Sequence, residues 1–275
     1  MQKKNALPKG YLAKLAKVVN PALIEMGAKI REYFNNSATI AVSYKKTNIE
    51  LDVQTNVDAE VELYLYEVIH KKFPEIGFQL EEHAQLNDLS KEIVCAIDPV
   101  DGTRNFSRQL PNFVCQIGFS YQGKAVAGHI IDPISNRLYF GSQEQPATLN
   151  NKSIRVSEIT DLDLACISAQ VTTRRSHWLE EQERIAEIYS KLLIKVAKIR
   201  NFGTTGWHLA NIAAGNLEAG AWLTTENAYD VVAGIALVEA AGGLVEQFEI
   251  EQLMGKRMVA GNPELVRKLK ELLLS

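Results

Sequence analysis

The chain has 275 residues, of which 46% are hydrophobic and 23% are charged, and its formal net charge is −3. Such a chain can bury a large core, as one large domain or as two closely packed halves. Its weak negative charge provides no basic field for a nucleic-acid polymer, and no apolar run reaches the roughly 18–20 residues of a membrane span. Three widely spaced cysteines with apolar neighbours, Cys95, Cys115 and Cys166, favour reduced core thiols over a disulfide framework or a zinc site. The sequence therefore predicts a soluble cytoplasmic protein that binds neither membranes nor nucleic acid.

The N-terminal region predicts two helices separated by strand-like segments. Apolar residues recur at helical spacing over residues 11–34, where Pro21 is expected to kink or divide the helix. A second helix is expected to begin at the Thr55-Asn56-Val57-Asp58 segment and to end near Phe73, which places Asp58 in its first turn. The strand-like segments between the two helices are residues 40–44 and 50–54.

A nine-residue motif, Asp98-Pro99-Val100-Asp101-Gly102-Thr103-Arg104-Asn105-Phe106, follows the apolar strand-like segment 93–97. Pro99 cannot donate a ladder hydrogen bond and is expected to end the strand, while Gly102 allows a turn that aims N–H groups at an anion. Another strand-like segment ends at Glu81-Glu82, so two acidic strand ends are expected to lie side by side. Carboxylate oxygens in such a place suit Mg²⁺, which bridges acidic side chains to a substrate phosphate.

Beyond this motif the chain predicts a β meander and then alternating strands and helices. Turn residues at 122–123 and 132–136 separate the meander's strands, which are expected to run antiparallel. The alternation that follows predicts a layered α/β architecture. A helix over 230–241, ended by Gly242-Gly243, carries Asp230 at its start. The remaining predicted elements are strands at 113–121, 125–131, 137–140, 165–169, 195–200 and 219–223, and helices at 180–193, 205–214 and 263–274.

The order of the acidic motifs resembles the inositol monophosphatase superfamily of Mg²⁺-dependent, lithium-sensitive sugar-phosphate phosphatases. The pattern there is Asp-Pro-(Ile/Leu/Val)-Asp-Gly-Thr followed by a distant Trp-Asp-x-x-Ala-Gly, which corresponds here to the nine-residue motif and to residues 228–234, with Tyr229 in place of Trp. The resemblance implies an α-β-α-β-α sandwich with mixed and antiparallel sheets. It also implies an N-terminal half (1–145) with most metal ligands and a C-terminal half (146–275) with Asp230 and substrate contacts, packed as one unit. Further matching segments are 55–58, 81–82, 132–136, 150–157 and 203–204.

The resemblance also assigns metal ligands to particular residues. Glu81, Asp98 and the carbonyl of Val100 would hold one Mg²⁺, and Asp98, Asp101 and Asp230 would hold a second. Glu82 would support these ligands or contact a weaker third ion. The family usually has Gly before the first Glu, whereas this chain has Leu80, whose β carbon is expected to shift the loop.

Phosphate and water contacts follow from the same resemblance. The N–H groups of Gly102 and Thr103 would hold phosphate oxygens together with Asp101, while the Thr103 hydroxyl and Asp58 would orient the attacking water. The further substrate contacts would be Gly203, Thr204 and Glu226. A positive potential at the mouth of the site could arise from Arg174, Arg175 and Arg200. Ordinary solvated arginines are an equally good interpretation of these residues.

Each of these acidic residues also has a simpler structural interpretation. Asp98 and Asp101 could form a solvated turn, Asp58 could be a first-turn helix acid, and Asp230 could cap its helix. The apolar strand before the first pair and the paired spacing favour metal binding instead.

The substrate is less closely defined by the sequence. Inositol monophosphatases usually place a hydroxyl-binding Glu before the Trp-Asp motif, but here residues 222–228 are one residue longer and Glu226 or a Thr hydroxyl would have to substitute. Inositol monophosphate or a related sugar phosphate is the leading substrate, and a homodimer is expected from the family. The alternatives are a 3′-phosphoadenosine 5′-phosphate phosphatase, a fructose bisphosphatase, a histidinol-phosphate phosphatase, or a regulatory binding protein without turnover.

Overall fold

The computed structural model describes residues 7–46, 51–171, 179–224, 226–251, 253 and 255–275. Its helices are α1 (Tyr11–Asn35), α2 (Asn56–Lys72), α3 (Thr103–Phe106), α4 (Leu179–Lys195), α5 (Thr205–Ala213), α6 (Ala228–Ala240) and α7 (Pro263–Leu274). Its strands are β1 (Val42–Lys46), β2 (Leu51–Thr55), β3 (Gly77–Leu80), β4 (Ile93–Asp101), β5 (Val114–Tyr121), β6 (Lys124–Asp132), β7 (Arg137–Ser142), β8 (Gln145–Leu149), β9 (Lys152–Ser153), β10 (Cys166–Gln170), β11 (Lys198–Arg200), β12 (Ala219–Trp222), β13 (Leu244–Glu249) and β14 (Lys256–Gly261). None of the helices in these ranges combines the length and apolar character that a membrane crossing needs.

Helix α1 passes through Pro21 without dividing, so of the two expected outcomes, a kink or a division, the division does not occur. A proline in a helix interior costs about 3 kcal/mol because it removes a backbone donor and crowds the preceding turn. Leu15, Val19 and Leu23 are fully buried on the same helix, and burial of each stabilises the fold by about 1.5–3 kcal/mol. Burial of this apolar face therefore outweighs the local cost of Pro21.

Three hydrogen-bonded sheets organise the strands. The largest has the order β3-β4-β5-β6-β7-β8-β9, and the second has the order β11-β10-β12-β14-β13, while β1 and β2 form an antiparallel pair. Strand β3 runs parallel to β4, and its later neighbours in the sheet are antiparallel. The predicted antiparallel meander is therefore confirmed. Leu80 pairs with Ile97 across the parallel step, so Glu81, which follows the end of β3, and Asp98 of β4 come next on neighbouring strands, and the two acidic segments lie side by side as predicted.

Helices and sheets stack in layers. Helices α1 and α2 contact the seven-stranded sheet, α5 and α6 contact both this sheet and the five-stranded one, and α7 contacts the five-stranded sheet and α4. Three clusters of buried apolar residues fill the spaces between these layers. This is the layered α/β fold with mixed sheets that the sequence predicted.

Strand β4 continues through Pro99 to Asp101, so the prediction that Pro99 ends the strand is wrong. Asp98 pairs with Gln116 of β5 and Asp101 pairs with Val114, which leaves one extra residue on β4 between these two pairs. A bulge of this kind tolerates a proline because the bulged segment leaves a ladder position unpaired. It also brings Asp98 and Asp101 to the same face, although residues three apart on a regular strand point to opposite faces.

Two glycines allow α6 to approach that same face. A β carbon at Gly118 would lie 2.4 Å from the Ala233 nitrogen, and one at Gly128 would lie 1.9 Å from the Ala233 carbonyl oxygen. Helix α6 therefore packs directly on the backbone of β5 and β6, and Asp230 lies in its first turn.

We expect Gly128→Ala to lower the melting temperature by about 3–10 °C, since overpacking against backbone costs about 1–3 kcal/mol. Scanning calorimetry of the variant measures this effect. Lys124→Ala, an exposed change on the same strand, serves as the control and should leave the melting temperature within about 1 °C of that of the unaltered protein. An unchanged melting temperature in Gly128→Ala would contradict the close packing of α6.

Candidate active site

A cleft of about 230 Å³ lies where the ends of β3, β4 and β10 meet the first turns of α3, α5 and α6. Most of the predicted site residues line it: Glu81, Asp98, Val100, Asp101, Gly102, Thr103, Gly203, Glu226 and Asp230. Arg104, Gln170, Val171, Asn201 and Thr205 complete the lining. The fold thus gathers side chains from both halves of the chain around one opening.

Asp98 lies deep in this cleft, with an exposed fraction of 2%. Its Oδ1 accepts a hydrogen bond of 3.1 Å from the Val100 N–H. Burial and the nearby charges of Glu81, Asp101 and Asp230 raise the pKa of Asp98 well above its usual range. The ionised form of this carboxylate is therefore unfavourable unless a positive charge is brought close to it.

Asp101 connects the nine-residue motif to the start of α5. Its carboxylate accepts hydrogen bonds from the Gly206 N–H and, at 3.2 Å, from the Thr205 N–H. The buried amide of Gln116 lies 3.4 Å from the same carboxylate. Burial and the charge of Asp230 raise the pKa of Asp101 to about 7, although the Gly206 N–H favours the ionised form.

Asp230 and Glu226 flank the N-terminus of α6. Asp230 Oδ2 accepts from the Asn227 N–H at 2.7 Å, so its predicted capping contact is confirmed. The backbone carbonyl of Asp230 accepts from Gln116 Nε2 at 3.1 Å. Glu226 accepts a hydrogen bond from the Thr224 hydroxyl at 2.8 Å and a longer one from the Thr205 hydroxyl at 3.4 Å. Both carboxylates are therefore oriented by residues next to the cleft.

Asp58 does not line the cleft but reaches it through Thr103. It is almost fully buried in the first turn of α2, as predicted, where it accepts from the Thr55 N–H at 2.9 Å. The Thr103 hydroxyl lies 3.0 Å from Asp58 Oδ1 and 2.9 Å from the Val100 carbonyl oxygen. Burial raises the pKa of Asp58 to about 6, with the charge of Glu82 adding to the shift and the Thr55 hydrogen bond opposing it.

Glu81 lines the cleft although Leu80 precedes it. The Leu80 side chain is buried in the core beside α2 and β4, with an exposed fraction of 2%. The β carbon at this position therefore packs inward and leaves Glu81 at the edge of the cleft.

The donor chemistry of the cleft fits a hard divalent cation. Its five carboxylates and the Val100 carbonyl supply oxygen, which is the ligand atom that Mg²⁺ prefers. Within the described ranges, no three His, Cys, Asp or Glu side chains are already drawn together as a metal-ligand cluster. Like-charge repulsion among these carboxylates contributes to the raised pKa of Asp98. A cation would relieve that repulsion.

Thr204 differs from its predicted place. Its side chain is 1% exposed and does not line the cleft, whereas its neighbour Thr205 does. Arg174 and Arg175 lie outside the described residues, and Arg200 is exposed on β11. The three cysteines are free thiols, two buried and one half-buried, as predicted.

Four lining residues were not predicted from the sequence: Gln170, Val171, Asn201 and Thr205. Gln170 is the last residue of β10. Leu80 holds the same position in β3, and the residue directly after it is the cleft residue Glu81. A polar residue at the carboxyl end of a predicted parallel strand was therefore the available signal. No such signal marks Gln116 in the sequence, because the contact of its side chain with α6 forms only when that helix packs against β5.

A solved structure shares this layered architecture. The chain superposes on the extragenic suppressor protein suhB from Bartonella henselae with a TM-score of 0.83 and 27% sequence identity, covering 94% of this chain and 98% of that one. The chain therefore has the same layered α/β fold as that protein.

Sequence comparisons identify the family. Residues 12–275 match the inositol monophosphatase family. The chain is 29% identical to the Nus factor SuhB of Escherichia coli K12 over 245 residues, which is 88% of this chain and 89% of that protein. It is 30% identical to the inositol-1-monophosphatase of Caulobacter vibrioides over 229 residues, 80% of this chain and 86% of that protein. The chain belongs to the inositol monophosphatase family.

Proposed function

We propose that the protein is a Mg²⁺-dependent phosphomonoesterase that hydrolyses a small phosphate ester, with inositol monophosphate or a related sugar phosphate as the leading substrate. The observation that carries the proposal is the set of four carboxylates, Glu81, Asp98, Asp101 and Asp230, around one cleft beside Thr103. Family membership supports phosphatase activity. A homodimer and a cytoplasmic location belong to the same proposal.

The carboxylates divide into two metal sites that share one ligand. Glu81, Asp98 and the Val100 carbonyl would hold one ion, and Asp98, Asp101 and Asp230 would hold the second, with Glu82 available to a weaker third. Bound Mg²⁺ supplies positive charge that lowers the pKa of the attacking water and neutralises charge on the phosphate oxygens. The depth of Asp98, between Glu81 and Asp101, supports its role as the shared ligand.

The motif that follows supplies the phosphate and water contacts. The N–H groups of Gly102 and Thr103 lie at the start of α3, where backbone donors have no acceptor within the helix, and they would hold the phosphate oxygens. The Thr103 hydroxyl donates to Asp58, which leaves its lone pairs to accept a hydrogen bond from the attacking water. With a pKa of about 6, Asp58 is mostly ionised at neutral pH and serves as the acceptor in this pair.

The described residues enclose a cleft of about 230 Å³, and a small polyol or sugar phosphate is the substrate class that we assign to it. Glu226, held by Thr224 and Thr205, is the carboxylate placed to accept a hydrogen bond from a substrate hydroxyl.

A phosphate-release panel tests the proposal. The purified protein with Mg²⁺ is offered inositol monophosphates, fructose 1,6-bisphosphate, histidinol phosphate and 3′-phosphoadenosine 5′-phosphate. We expect the highest kcat/KM for an inositol or sugar monophosphate. Preference for the nucleotide would select that alternative, and release from none of the esters would leave a regulatory binding protein.

Substitution of Glu226 tests substrate recognition separately. We expect Glu226→Gln to raise KM for an inositol or sugar phosphate about tenfold, because a hydrogen bond to a charged acceptor is worth about 1.5–3 kcal/mol. Steady-state kinetics with p-nitrophenyl phosphate provide the control, since this ester has no hydroxyl for Glu226 to hold. Equal effects on both substrates, or on neither, would show that hydroxyl recognition lies elsewhere.

A further inference from the structure

Glu62 is a fully buried carboxylate on α2 that the proposed reaction does not use. It lies one helical turn after Asp58, and both residues are buried. Residues four apart on a helix share a face. One face of α2 therefore carries two carboxylates next to the cleft.

The Glu62 carboxylate accepts hydrogen bonds from three consecutive backbone N–H groups. The Glu81 N–H lies 2.6 Å from Oε1, the Glu82 N–H lies 3.1 and 3.0 Å from the two oxygens, and the His83 N–H lies 2.8 Å from Oε2. The His83 ring adds a fourth contact, with Nδ1 2.8 Å from Oε2. We call the backbone of residues 81–83 the acidic turn.

These contacts fix the acidic turn relative to α2. A buried charge is costly unless it is hydrogen-bonded, and hydrogen bonds to an ionised acceptor are about twice as strong as neutral ones. Strand pairing between β3 and β4 ends at Leu80, so the ladder does not hold Glu81 itself. The Glu62 carboxylate provides the fixed point one residue beyond the last strand pair.

We propose that Glu62 is a positioning residue that holds the acidic turn so that the Glu81 carboxylate stays at the cleft. The inference rests on the proposed function, in which Glu81 is a metal ligand. Helix α2 would then position two parts of the site at once, because Asp58 contacts Thr103 and Glu62 contacts the acidic turn. Removal of Glu62 should weaken Mg²⁺ binding without any change in the ligand set.

The experiment is a double-mutant cycle on Mg²⁺ affinity, measured by isothermal titration calorimetry with Glu62→Gln, Glu81→Gln and the double variant. Supporting partners of metal ligands typically contribute 10- to 100-fold to affinity, so we expect Glu62→Gln to weaken Mg²⁺ binding at least about tenfold. If Glu62 acts through Glu81, the double variant should bind Mg²⁺ no more weakly than Glu81→Gln alone. Additive losses would instead indicate long-range attraction between Glu62 and the ion, and would overturn the proposal.

Two further variants separate positioning from charge and from general destabilisation. Glu62→Asp keeps the charge but is one methylene too short to hold the acidic turn, so its Mg²⁺ affinity should also fall. Glu218 is a matched control, since it is buried directly before β12 of the five-stranded sheet and accepts the Cys166 N–H at 2.7 Å. Glu218→Gln should leave Mg²⁺ affinity within twofold of that of the unaltered protein. Normal affinity in Glu62→Asp, or an equal loss in Glu218→Gln, would overturn the proposal.

Hydrogen exchange keeps this test independent of the proposed function. The amide protons of residues 81–83 should exchange at least about tenfold faster in Glu62→Gln than in the unaltered protein, while those of β5 keep their rates. If Glu81→Gln binds Mg²⁺ normally, Glu81 is not a metal ligand. In that case Glu62 cannot act by positioning a metal ligand either. Unchanged exchange in the acidic turn would show that Glu62 does not hold that backbone.

Discussion

Asp98→Asn is expected to reduce kcat for the phosphate ester by at least about 10³-fold while the protein stays folded. The change removes one negative charge from the ligand proposed to be shared by both metal ions, and loss of one electrostatic contact to a transition state alone costs about 10²–10³. Asn retains the Oδ1 atom that accepts the Val100 N–H. Because charge repulsion in the metal-free site also falls, the metal-free melting temperature should equal or exceed that of the unaltered protein.

Asp132→Asn is the matched control for this variant. Asp132 is also buried, but it accepts from Ile134 and Ser135 in the turn after β6, away from the residues that line the cleft. We expect its kcat to stay within about threefold of that of the unaltered protein. Near-normal turnover by Asp98→Asn at ordinary Mg²⁺ concentration would contradict the shared-ligand assignment.

Removal of divalent metal is expected to abolish turnover completely and reversibly. Excess chelator should stop phosphate release, and added Mg²⁺ should restore it, because every proposed ligand is an oxygen atom of the kind that Mg²⁺ prefers. Family resemblance adds inhibition by Li⁺, and excess Ca²⁺ should inhibit because its coordination is larger and more flexible. Full activity in chelator would exclude the metal-dependent mechanism.

The same metal should change how stability depends on pH. Asp101 and Asp58 have pKa values of about 7 and about 6 in the folded, metal-free protein, above the ordinary aspartate value of 3.8. A folded-state pKa above the unfolded value means that the folded state binds more protons, so stability falls as pH rises from about 4 to 7. Mg²⁺ binds the ionised carboxylates, so it should raise the melting temperature by at least about 5 °C at pH 8 and by less than about 2 °C at pH 5.5. Equal shifts at both pH values would contradict Asp101 as a metal ligand.

Local sequence patterns determined the elements and the first half of the site. The apolar segment before the nine-residue motif predicted β4, and the segment before Glu81 predicted β3. Because both strands end in acidic residues, the sequence also predicted neighbouring carboxylates, which the Leu80–Ile97 pair confirms. Such features depend on hydrophobic period and on turn residues, which are properties of short segments. Strands β8, β9, β13 and β14 were missed; β13 is only partly buried and lacks a strong period.

The tertiary structure decided how distant residues meet. The bulge at Pro99 brings Asp98 and Asp101 to one face only because β5 supplies the partners Gln116 and Val114. Asp230 reaches that face because Gly118 and Gly128 admit α6, and Glu62 reaches the acidic turn through hydrogen bonds that join different elements. No local period encodes these contacts, since each depends on close packing between segments far apart in the chain, and packing is decided only when the layers assemble.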